Sequence, residues 1–164
     1  MSERIVHPVD TRTEMTWLVL PQHTNNVGGV FGGQVMAWID VCAAISAQRF
    51  ARKVVVTAAM DNLSFKAAAK DGDVMVLQGQ VNFAGRTSME VGVRVESENP
   101  LTGKRVHTST AYLTFVALGE DGRPTEVPTL APVTETDKRR HHDACVRRER
   151  RVQARAEDLE RRKK

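Results

Sequence analysis

The chain has 164 residues, 41% hydrophobic and 27% charged, which supports a single hydrophobic core and excludes a disordered or membrane-embedded chain. The longest nearly uncharged apolar stretch, residues 35–47, is interrupted by Asp40 and falls short of the ~20 residues that a membrane span needs. The net charge of +4 belongs to one end: of 24 Lys+Arg and 20 Asp+Glu, 12 and 7 fall in residues 135–164, leaving 12 and 13 in a nearly neutral body.

Residues 1–10 contain no apolar signal core and read as a loose leader. Residues 15–20 (MTWLVL) read as a short strand closed by Pro21, and Gln22 to Gly29 as a loop rich in turn formers. Phe31-Gly32-Gly33 then opens a helix expected over residues 34–52, apolar on almost every face and therefore buried. After it the period changes to that of strands, over residues 54–65, 74–83, 88–97 and 106–118. Short turns at Asp71-Gly72, Gly85-Arg86 and Pro100 to Gly103 suit an antiparallel meander. Pro128 and Pro132 delimit a linker, and residues 129–164 form linker plus basic helical tail. The tail mixes charges of both signs and has almost no aromatics to stack on bases, so a solvated helix is expected and nucleic-acid binding is not.

The fold class predicted is α+β: one domain over residues 11–128, with an antiparallel sheet of about five strands curled around one long buried helix. The sheet cannot cover such a helix alone, so a second copy of the chain is expected to complete it. Two separated cysteines, Cys42 and Cys145, imply no disulfide framework and a reducing, cytoplasmic setting.

Asp40 is the most informative residue, because a carboxylate among Trp38, Ile39, Val41 and Cys42 is costly to desolvate unless partnered. It either pairs structurally or serves as a general base or nucleophile. At the helix start, Gly32 and Gly33 allow a ligand to approach unsatisfied backbone N–H groups at the positive end of the helix dipole, which suits a developing oxyanion. The same pair also serves simple close packing. Asn25 and Asn26 offer neutral polar groups or merely turn chemistry. Gly85-Arg86-Thr87-Ser88 offers a guanidinium, hydroxyls and backbone donors to a phosphate, with Lys66 and Lys70 as added charge, although hairpin turns carry such residues routinely. The sequence holds no HExxH, CxxC, GxSxG, P-loop or strand-linked GxGxxG, so it shows no metal signature, the serine-hydrolase, nucleotide-hydrolase and Rossmann-oxidoreductase readings lose most of their weight, and no cofactor is expected.

The run Leu20-Pro21-x-x-Thr24-Asn25-x-x-Gly28-x-x-Phe31-Gly32-Gly33-x-x-Met36-x-Trp38-Ile39-Asp40, followed by Gly85-Arg86-Thr87-Ser88-Met89-Glu90-Val91, resembles the hotdog-fold acyl-CoA thioesterases of the YciA-like and cytosolic acyl-CoA hydrolase group. The resemblance spans residues 15–128. It implies a sheet wrapped around a central helix, dimers joined sheet edge to edge, and trimers of such dimers. It assigns Asp40 to activating water or attacking the thioester, Asn25 to the partner subunit's contribution, and the Gly33 N–H to polarising the carbonyl. It also implies CoA contact at the turn of Gly85, Arg86, Thr87 and Ser88, to which Lys66 is expected to add its charge. A non-catalytic hotdog module binding acyl-CoA or a nucleotide, regulated by its tail, is the alternative. A dehydratase is disfavoured because such enzymes generally need a histidine near the helix start, and residues 32–52 contain none.

Overall fold

The computed structural model describes residues 4–163. In chain order it contains β1 (Ile5–Val6), a 3-10 turn (Pro8–Thr11), β2 (Thr13–Leu18), a second such turn (Pro21–His23), α1 (Gly32–Ala51), β3 (Val54–Met60), β4 (Val74–Ala84), β5 (Ser88–Glu98), β6 (Arg105–Leu118), β7 (Thr129–Leu130) and α2 (Glu135–Arg161). The expected five-stranded antiparallel sheet is present, in the order β2-β4-β5-β6-β3. α1 separates β2 from β3 in sequence, and the two strands end up at opposite edges. The sheet curls around α1, which packs against all five strands.

Val35, Trp38, Ile39, Cys42, Ala43, Ser46, Ala47, Phe50 and Ala51 are the buried positions of α1, recurring every three to four residues as one helix face requires. Gly79 on β4 lets the helix approach closely: a Cβ there would lie 2.9 Å from Ser46 Oγ and 3.1 Å from Cys42 Sγ. Burial in this contact pushes the Cys42 thiol up to about 11. The helix is not covered all round by its own chain. Gly33, Met36, Ala37 and Val41 are exposed, as are Val54 and Val56 on the neighbouring edge strand β3.

Several boundaries differ from expectation for local reasons. The first long strand stops at Leu18, because the Leu20 N–H turns to His23 Nδ1 at 3.1 Å ahead of Pro21. β3 stops at Met60, five residues early, after a bulge between Thr57 and Ala59. Within the expected leader, Ile5 and Val6 pair in parallel with Thr129 and Leu130. The buried Thr11 hydroxyl donates to Pro8 O at 2.7 Å and accepts from the Val81 N–H at 3.0 Å, tying this segment to β4. Residues 1–3 of that leader, and Lys164 of the tail, lie outside the described residues.

The tail helix does not stand free in solvent over its first half. Thr134 and Asp137 form a reciprocal cap: the hydroxyl accepts from the Asp137 N–H at 3.1 Å and donates to Asp137 Oδ2 at 2.7 Å. Burial opposes the charge on Asp137, but the hydrogen bonds from Thr134 and from the Gln80 amide outweigh it and hold the carboxyl below its usual value. α2 then lies on the sheet's outer face, where the Arg147 guanidinium sits 3.5 Å from the centre of the Tyr112 ring. Beyond Arg151 the helix is exposed.

Candidate active site

The N-terminus of α1 is uncapped by any side chain, with Phe31 as the boundary residue. Gln34 and Val35 both donate to Phe31 O, at 3.0 and 3.1 Å. The N–H groups of Gly32 and Gly33 find no acceptor among the described residues, and they stand at the positive end of a twenty-residue helix. Gly33 is exposed, and a Cβ on it would meet nothing within 4 Å. Packing within one chain therefore does not require glycine there.

The preceding loop is shaped by Asn25. Its Oδ1 accepts from the N–H of Val27 at 3.0 Å and of Gly29 at 3.2 Å, while its backbone N–H donates to Gly29 O at 2.7 Å. Gly28 supplies the positive φ of 81° that the tight return needs. With Oδ1 committed, the Nδ2 amide is the end available to a ligand. Asn25, Gly29, Gly32, Val35, Phe65, Lys66, Lys70 and Thr108 line a cleft of about 640 Å³ with a mainly apolar wall. Thr108 Oγ1 is buried there without a hydrogen-bond partner among the described residues.

Asp40 lies two turns along α1 from Gly33, half-buried, on the face that its own sheet leaves uncovered. The Thr57 hydroxyl donates to Asp40 Oδ1 at 2.7 Å. Asp40 does not line the Asn25 cleft, so one chain does not bring these two residues into one cavity. Thr57 is the residue that sequence reasoning missed.

The turn at Gly85 to Ser88 is closed by the Gly85 N–H donating to Ser88 O at 2.8 Å. Arg86 is largely exposed and makes a loose 4.0 Å contact with Glu126. Lys66 is elsewhere. Its N–H donates to Thr108 O, whereas Ser88 pairs with Val116 on the same strand β6, roughly 26 Å away for eight residues of extended chain. Within one chain, Lys66 and the turn form no single cradle. Within one chain, Asn25 and Lys66 thus lie together on one side, and Asp40 with Thr57, whose strand partner Phe115 neighbours the partner of Ser88, on the other.

A family model described as the thioesterase superfamily matches residues 27–104. A Bacillus subtilis protein named as an uncharacterized acyl-CoA thioester hydrolase, YkhA, is 40% identical over 138 residues, covering 84% of this chain and 80% of that protein. The chain belongs to the hotdog-fold acyl-CoA thioesterases. A crystal structure of an apo hexameric acyl-CoA thioesterase is 46% identical with a TM-score of 0.90, covering 93% of this chain and 98% of that one. The Staphylococcus aureus acyl-CoA hydrolase, solved with butyryl coenzyme A, coenzyme A and coenzyme A disulfide, is 35% identical with a TM-score of 0.89 over 96% of each chain. That enzyme has also been solved with alanine in place of one aspartate, one asparagine and one threonine. Among the described residues of this thioesterase-family chain, no helix is long and apolar enough to cross a membrane.

Proposed function

We propose that this chain hydrolyses acyl-CoA to a free fatty acid and CoA in the cytoplasm, with Asp40 as general base and two subunits supplying each site. The observation that carries the reading is the Thr57–Asp40 hydrogen bond on the uncovered face of α1. Thr57 orients Oδ1 and leaves Oδ2 to take a proton.

In this mechanism a water oxygen attacks the thioester carbonyl carbon while its proton passes to Asp40. The carbonyl oxygen gains the negative charge and is held by the Gly33 N–H at the helix dipole. Collapse of the tetrahedral intermediate breaks the C–S bond and expels CoA thiolate, which recovers the proton from Asp40. A thioester has weaker resonance than an ester and a good leaving group, so one base and one oxyanion donor suffice without a cofactor.

Asn25 of the neighbouring subunit presents Nδ2 to the same carbonyl or water, because its Oδ1 is already engaged. CoA runs from Lys66 on one subunit to Gly85, Arg86, Thr87 and Ser88 on another, which accounts for their separation within a chain. The apolar strip of Met36, Val41, Val54 and Val56 is buried by pairing of hotdogs through the β3 edge, and three such dimers form a hexamer. The test is CoA-thiol release from acyl-CoAs of short to long chain, with wild type and D40A side by side. Release that is lost in D40A supports the reading; no release by the folded, oligomeric wild type overturns it and leaves a binding module.

A further inference from the structure

Glu90 is 1% exposed, and its carboxylate faces α2 rather than the core. Arg147 clasps it with Nη2 at 2.7 Å from Oε1 and Nε at 3.2 and 3.3 Å from the two oxygens. Arg151, one turn further along α2, adds Nη2 at 3.1 Å from Oε2. Two guanidiniums against one buried carboxylate would leave a surplus positive charge in a partly desolvated place. The balance is restored by Asp61, whose Oδ2 accepts from Arg151 Nη1 at 2.7 Å. The network is therefore two acids and two bases, and Asp61 is the member that does not belong to the outer face of the sheet.

Asp61 is the first residue after β3. It opens an irregular segment held to β6 by two backbone bonds, from the Asp61 N–H to Tyr112 O at 2.9 Å and from the Lys66 N–H to Thr108 O at 2.8 Å. Between those anchors the chain leaves the sheet and places Phe65 over the start of α1, so close that a Cβ on Gly32 would sit 3.2 Å from Phe65 Cε2. Phe65 and Lys66 line the cleft beside Asn25. A covalent and ionic path thus runs from α2 through Arg151 and Asp61 to the wall of the cleft. α2 lies wholly outside residues 27–104, which the thioesterase model matches.

We propose that Arg151 and Asp61 are a positioning pair through which the tail helix holds the segment 61–66, and with it Phe65, against the N-terminus of α1, setting the shape of the acyl-CoA cleft. Neither residue touches the reacting atoms. Their role is to fix the cleft wall, and it rests on the hydrolase reading only for its kinetic consequence.

The test uses the full-length chain with D61N, R151Q, the double variant, the charge-preserving D61E, and R150Q as an exposed control on the same helix. Hydrogen exchange of the Lys66 N–H and steady-state thiol release from acyl-CoA are measured together. A charge-assisted hydrogen bond of this kind carries roughly one power of ten. Exchange of the Lys66 N–H, which is bonded to Thr108 O, is therefore expected to rise about tenfold in D61N and R151Q, with KM rising about tenfold and kcat changing less than about twofold. The double variant should be no worse than either single one. D61E should restore most of the protection, and R150Q should match wild type. Unchanged exchange of the Lys66 N–H, or losses that merely track global unfolding with KM unchanged, would overturn the proposal. Absence of turnover in wild type would count against the hydrolase reading alone, because the exchange comparison needs no substrate.

Discussion

Thr57 on β3 donates its hydroxyl to Asp40 on α1 at 2.7 Å, joining the edge strand to the one carboxylate in the apolar part of the helix. If Asp40 is the general base proposed above, D40N removes the proton acceptor and should lower kcat roughly a thousandfold, within the usual range for a lost general base. T57V removes only the orienting hydrogen bond and should lower kcat about tenfold, while T57S should recover most of it. Thiol release at saturating acyl-CoA distinguishes these outcomes, and a T57V enzyme as fast as wild type would remove Thr57 from the mechanism.

Asn25 separates loop shape from ligand contact. N25D keeps an oxygen that accepts from the N–H groups of Val27 and Gly29, but it loses the Nδ2 donor. It should therefore leave hydrogen exchange across residues 26–29 near wild type while kcat falls about a hundredfold, as for a lost oxyanion donor. N25A should disturb both. Full activity in N25D would show that the amide donor is not used.

For Gly33, adding a methyl group should leave the isolated fold intact or slightly more stable, by up to about 1 kcal/mol from helix propensity, since a Cβ there meets nothing within 4 Å. If a thioester approaches the Gly33 N–H as closely as an oxyanion donor requires, G33A should nonetheless reduce kcat/KM by about tenfold or more. Denaturation and kinetics on the same sample decide it. Equal loss of both would point to packing rather than substrate approach.

Cys42 makes stability fall with rising pH. Burial pushes its thiol up to about 11 from 9.0, so between those values the unfolded chain has released a proton that the folded chain still holds. The contribution is complete below about pH 9 and is lost as pH rises toward 11. Urea denaturation across that window should show a shallower decline in C42A than in wild type, whatever the offset caused by the smaller side chain. Identical slopes would mean that the thiol ionises alike in both states.

How far each feature can be read from residues alone depends on the physical signal that it leaves. α1 and the strands are legible because apolar spacing changes from the helical to the strand period after Arg52, and Asp40 stands out as a charge in an apolar run. Thr57 leaves no such mark, since threonine is ordinary in a β-branched strand. The docking of α2 is concealed for a different reason: Arg147 and Arg151 read as solvated charge, and Glu90 reads as the outward residue of an alternating strand. Only the fold stacks these outward positions against each other. Lys66 and the Gly85 to Ser88 turn read as one basic group until the register of β6 places them at opposite ends.

The separation of Asn25 from Asp40 within a chain leads to the sharpest expectation. If every site takes Asp40 from one subunit and Asn25 from its partner, N25A and D40A homo-oligomers are both inactive. A mixed dimer of the two has one site with both defects and one with neither. Unfolding and refolding the variants together in equal amounts makes mixed dimers about half of the population, each with one competent site of two, so activity should return to about one quarter of wild type. Mixing without subunit exchange should return none. If both residues instead act within one chain, the refolded mixture stays as inactive as its components, and the two-subunit site is wrong even if the hydrolase is right.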